Sequence, residues 1–187
     1  MANTMIEIIC YTGGTCGDLL AALIDSKDVK FHQTAILHAK ERMRFKKPHL
    51  FIDYTEKDEY INDISKTYLS IPSHDLEYHV DRQHRFIGIT VKDFKIALWA
   101  ANRFKNLHRQ EVWESMCKFC GAQSIEDYAQ ILIDYSNLVS QHTDRLVKLE
   151  DIKSGNAIDA LTKIGILNCS QNLYRNWLDL QNGYFIS

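Results

Sequence analysis

The sequence has few of the residues that break a chain into linkers. Two prolines, Pro48 and Pro72, and eight glycines are spread over 187 residues, so no segment has the composition of a flexible connector. No internal repeat is present. No apolar run approaches the roughly 20 residues that a membrane-spanning helix needs. The opening residues, Met1-Ala2-Asn3-Thr4-Met5, have neither the basic start nor the apolar stretch of a secretory signal. An excess of one charge is also lacking. The net charge of −2 gives no electrostatic basis for general binding to nucleic acid or to a membrane surface. Five cysteines cannot all pair with one another, and with no export signal they are expected as reduced thiols in a cytoplasmic protein. The expectation is a single domain spanning residues 1–187, long enough to bury about 70% of its unfolded surface.

One stretch stands out. Ile6-Glu7-Ile8-Ile9-Cys10-Tyr11 reads as a buried strand, Thr12-Gly13-Gly14-Thr15-Cys16-Gly17 as a glycine-dense turn, and Leu19 to about Ser26 as a buried helix. Strand, glycine turn and helix together aim backbone N–H groups and a helix N-terminus at an anionic ligand. Further strands are predicted at Leu50–Tyr54, Tyr68–Ile71, Arg85–Val91 and Leu146–Leu149, with Pro72 stopping the second of these. Helical spacing runs through 31–43, from Thr55 to Tyr68, and through Phe94, Ala97, Leu98, Ala101 and Phe104. More helices carry Val112, Trp113 and Met116; Tyr128, Leu132 and Val139; Ala157 and Leu161; and Leu173, Trp177 and Leu180. Ser124 with Asp127 marks one start, Gly165 one end, and Asn182-Gly183 another. Alternating strands and helices predict a three-layer α/β domain: a short parallel sheet covered by helices, with a helix-rich C-terminal half.

The loop departs from the common nucleotide motifs. A Walker loop needs lysine after its last glycine, but Asp18 follows Gly17, and Lys27 would lie about 15 Å away along the helix. That weighs against a nucleoside or nucleotide kinase. The glycines at 13, 14 and 17 also miss the dinucleotide spacing. Asp18 would repel a bound phosphate by about 3 kcal/mol at about 5 Å and an effective dielectric of 20.

The order of features resembles the P-loop-fold sulfotransferases. Thr12-Gly13-Gly14-Thr15 with Leu19-Leu20-Ala21-Ala22-Leu23 is similar to the loop that holds the 5′-phosphosulfate in that family, with Thr12 where the family has lysine. Tyr68-Leu69-Ser70-Ile71-Pro72-Ser73-His74 is similar to the short strand that ends in the catalytic histidine. Ile87 to Arg103 corresponds to the strand and helix that bind a 3′-phosphate, with Lys92 near the usual arginine and Ala97 where serine is expected. Leu149-Glu150-Asp151-Ile152 and the later Lys163-Ile164-Gly165-Ile166 match late elements of the family. The resemblance implies sulfonate transfer from PAPS (3′-phosphoadenosine 5′-phosphosulfate) to an acceptor hydroxyl or amine. His74 would be the base, and Thr12, Gly13, Gly14, Thr15, Cys16, Gly17, Lys92 and Arg103 the nucleotide-binding residues; no metal is implied. Lys46 and Lys47 are further candidate cations.

The non-enzyme alternative is a binding or assembly module that keeps this fold without its chemistry, for which Thr12 and Asp18 argue. Cys117-Lys118-Phe119-Cys120 has no second cysteine pair at zinc-finger spacing and falls within a helical pattern. Cys16 stands near a helix N-terminus, where thiol pKa values fall. His79 and His84 lie close in sequence without ligand spacing on a clear element.

Overall fold

The computed structural model describes residues 6–25, 54–66 and 68–184. The helical pattern of 31–43, the basic residues Lys46 and Lys47, and the strand expected over 50–53 lie outside the described residues. β1 (Glu7–Cys10) leads into α1 (Gly17–Asp25). α2 (Tyr54–Ile64), β2 (Ser70–Ser73), α3 (Leu76–Asp81) and β3 (Phe86–Thr90) come next. α4 (Phe94–Leu107), α5 (Gln110–Cys120) and α6 (Ile125–Val139) separate β3 from β4 (Leu146–Lys148). α7 (Leu149–Lys153), α8 (Ala157–Lys163) and α9 (Gln171–Tyr184) are the last of the described elements.

The four strands among the described residues form a parallel sheet in the order β2-β1-β3-β4. Ile8 pairs with Ile71 on one side, Ile9 with Ile87 on the other, and Ile89 with Val147 beyond. Successive side chains alternate between faces, as strand geometry requires. Ile9, Ile87, Ile89 and Val147 join α1, α4 and the later helices in one buried cluster. Ile8, Cys10, Ile71 and Phe86 pack with Ile64 and Leu76 in another. Both faces are therefore covered, which is why the central strands read as unbroken apolar runs rather than alternating ones. The expected α/β class and the helix-rich second half are observed. Among the described residues, no helix is long and apolar enough to cross a membrane.

Several boundaries differ from the sequence reading. Tyr54 opens α2 rather than ending a strand. The second strand of the described sheet runs through Pro72 instead of stopping before it. Leu69 and Ser73 turn their carbonyls toward β1, so the nitrogen of Pro72 faces the other way and no β1–β2 ladder bond is lost. Leu149 begins α7 rather than extending β4, and α9 continues past Asn182-Gly183 to Tyr184. α3 has no counterpart among the expected elements; Asp75 caps it by accepting from the Tyr78 N–H at 3.1 Å. The expected cap at Ser124 is present, its hydroxyl accepting from the Asp127 N–H at 3.0 Å.

Candidate functional site

The strand order reverses at β1, with β2 on one side and β3 on the other. In open parallel sheets, the crevice at the carboxyl ends of such strands is where ligands bind. A cavity of about 320 Å³ lies there, at the small end of the range for ligand sites. The glycine loop forms one wall, with Gly13, Gly14, Cys16 and Gly17. His74 enters from the end of β2, and Arg103, Phe104 and His108 from α4 and the residue that caps it.

The loop is held by packing as much as by its turns. Gly14 has φ +94°, and a Cβ there would come within 2.5 Å of the Ala100 carbonyl oxygen. A Cβ on Gly17 would lie 2.2 Å from the Tyr11 ring. The space beside these glycines is thus filled by the protein itself, which lets α4 and the Tyr11 ring approach the backbone. Three consecutive carbonyls are also engaged. That of Thr12 accepts from the Thr15 hydroxyl at 2.8 Å, that of Gly13 from the Tyr128 hydroxyl at 3.2 Å, and that of Gly14 from Arg103 Nη1 at 3.4 Å. The Thr12 hydroxyl oxygen is buried and has no hydrogen-bond partner among the described residues.

Tyr11 links the parts of the site. Its backbone carbonyl bonds to His74 Nδ1 at 2.8 Å, and its hydroxyl donates to Asp18 Oδ2 at 2.9 Å. Its ring also meets the His74 ring at a centroid separation of 4.1 Å. A carbonyl can only accept, so Nδ1 carries the hydrogen, and in the neutral ring Nε2 carries the lone pair. Asp18 lines the cavity, which gives it one carboxylate and, in Arg103, one full cation among the described residues. Arg103 is 8% exposed and lies over the Trp177 ring, 5.7 Å from its centre.

His74, Arg103, Gly13, Gly14, Cys16 and Gly17 are brought together as the sequence suggested. Thr12 and Thr15 belong to the loop but do not line the cavity, and Lys92 lies exposed beyond the end of β3, outside it. Cys16 corrects an expectation: burial raises its thiol pKa, with Arg103 opposing and Asp18 adding to the rise. Loss of solvation outweighs the helix terminus, and the thiol stays protonated. His108 was not singled out from sequence, although its i, i+4 spacing to Phe104 was a usable signal. Its ring meets that of Phe104 at 4.4 Å; burial, then Arg103, lowers its pKa, while Asp18 opposes.

A second polar cluster lies behind the β2–α3 turn. His79 is buried, with Nε2 2.8 Å from the Ser73 hydroxyl and Nδ1 3.0 Å from His84 Nδ1. Ser73 Oγ also accepts from the Asp75 N–H at 3.2 Å, and Asp75 pairs with Lys57. A turn just after α3, closed by the His84 N–H donating to the His79 carbonyl at 2.9 Å, brings the two histidines together. Cys117 and Cys120 are half-buried on α5, and the described residues hold no group of three metal-ligating side chains.

PAPS carries a 3′-phosphate as well as its 5′ group, and the β3–α4 turn expected to hold it is already occupied. The Lys92 and Asp93 N–H groups donate to Glu150 Oε1 at 3.1 and 3.2 Å. Those of Lys95 and Ile96 donate to Asp93 Oδ1 at 2.7 and 3.2 Å. The described residues do not fit the whole of PAPS. Comparison with protein-family models, with curated proteins and with solved structures finds no match.

Proposed function

We propose that this chain is a sulfotransferase-like protein that binds the sulfo- or phospho-bearing end of a nucleotide donor beside the glycine loop and Arg103. The observation that carries this reading is the hydrogen bond between His74 Nδ1 and the Tyr11 carbonyl, which holds an imidazole at the mouth of that loop with Nδ1 as the donor. A base must have its lone pair on one nitrogen and its ring held still, and the Tyr11 carbonyl does both. His74 Nε2 takes the proton from the acceptor hydroxyl or amine as its oxygen or nitrogen attacks. Arg103 supplies positive charge where negative charge gathers on the leaving oxygen, in a buried setting where that interaction is strengthened.

Asp18 favours a second reading, a non-catalytic binding module, because its carboxylate shares the cavity with Arg103 and opposes an anion there. Calorimetric titration with adenosine 5′-monophosphate and with adenosine 3′,5′-bisphosphate tests the first reading, and the absence of heat from both at high micromolar ligand with folded protein would reject it. His74→Ala separates the two. Retained binding with lost transfer supports the enzyme, and transfer activity unchanged by the substitution removes His74 from the mechanism.

A further inference from the structure

We infer that the ligand of this site is a nucleotide lacking a 3′-phosphate, recognised through its 5′-phospho or 5′-sulfo end. This rests on the proposed function and narrows its substrate class.

A phosphate on a helix start is held by unpaired N–H groups and the positive end of the helix dipole. At the start of α4 those N–H groups are in use. Glu150 Oε1 takes the donors of Lys92 and Asp93, and Asp93 Oδ1 takes those of Lys95 and Ile96. Four of the N–H groups around this turn, those on either side of Phe94, are thus taken by two carboxylates fixed in the chain. A 3′-phosphate would have to displace a carboxylate and then sit beside it with like charge.

The side chains of this stretch do not compensate. Ala97, the position at which a hydroxyl was expected, has no exposed surface and packs in the core. Lys92 is exposed and outside the cavity lining, and Arg103 stands at the glycine loop, against the Gly14 carbonyl and the Trp177 face, rather than at this turn. At the 5′ end the site retains a cation and a loop, whereas at the 3′ end two acids close the turn.

The test is calorimetric titration of the full chain with adenosine 5′-monophosphate and, in the same buffer and salt, adenosine 3′,5′-bisphosphate. The bisphosphate should bind no more tightly than the monophosphate, within about threefold. Glu150→Gln, which removes a charge and keeps an acceptor for the two N–H groups, should tighten the bisphosphate alone by about threefold or more. Bisphosphate binding more than about threefold tighter than monophosphate binding in the unaltered protein overturns this inference and leaves the proposed function standing. A Glu150→Gln change that affects both ligands equally, or neither, overturns the assignment to Glu150. Heat from neither ligand rejects the proposed function and the inference together.

Discussion

The ring of Tyr11 occupies the space that a side chain on Gly17 would need, 2.2 Å from where its Cβ would stand. The ring cannot swing aside freely, because its hydroxyl bonds to Asp18 and its face meets His74. Gly17→Ala is therefore expected to destabilise the protein by about 2–4 kcal/mol, through overpacking at the loop. Urea denaturation should show a lowered midpoint with an unchanged slope; a midpoint equal to that of the parent would show that the ring can move.

Tyr11→Phe removes the hydroxyl but keeps the ring and the backbone carbonyl that holds His74. The hydrogen bond to Asp18 is charge-assisted and partly buried, so its loss should cost about 1–2 kcal/mol. A double-mutant cycle with Asp18→Asn isolates the pair. Coupling near zero would mean that the contact contributes nothing net.

The buried His79 ties stability to acidity. Burial, reinforced by His84, holds its pKa down to about 3, against an ordinary value near 6.5. Below about 6.5 the unfolded chain gains a proton at this position that the folded chain does not gain until about 3. Stability should therefore fall as pH drops through that window, by up to about 1.4 kcal/mol per unit from this group. In His79→Gln, which cannot titrate, denaturation measured between pH 7 and 4 should show a shallower dependence, by about one proton. An identical slope in both proteins would remove His79 as the source.

Arg145 joins the start of β4 to β1 through two bonds to Glu7, at 2.5 and 3.2 Å, with only 8% of its side chain exposed. Glu7→Gln leaves a buried guanidinium facing a neutral amide. The expected loss is about 2–4 kcal/mol, below the full penalty because Glu7 is itself 23% exposed. Thermal unfolding measures it, and a change under about 0.5 kcal/mol would show that solvent already screens the pair.

Much of the architecture was legible because it is local. Ile8 to Cys10, Phe86 to Ile89 and the Phe94–Phe104 stripe declare their elements by burial period, and Ser124 announces its helix through a bond three residues away. α3 was not legible. It is six residues long, below the length at which a helical period stands out, and it is held by Asp75, Lys57 and the histidine pair rather than by an apolar stripe. Pro72 misled for a related reason: whether a missing N–H matters depends on which way it points in the sheet, and only strand pairing decides that.

The sequence alone determined the strand–glycine–helix unit at 6–25, because backbone sterics and apolar period act over a few residues. It also singled out His74 and Arg103, though not what each would touch. The tertiary structure decided their meaning. His74 meets the Tyr11 carbonyl across 63 positions, and Arg103 reaches Gly14 across 89. Glu150 closes the start of α4 across 57 and 58, turning a helix terminus that could receive an anion into one already filled. These contacts depend on how the parallel strands are ordered and on what packs over them. That order results from burying many side chains at once, and no single stretch of the chain carries it.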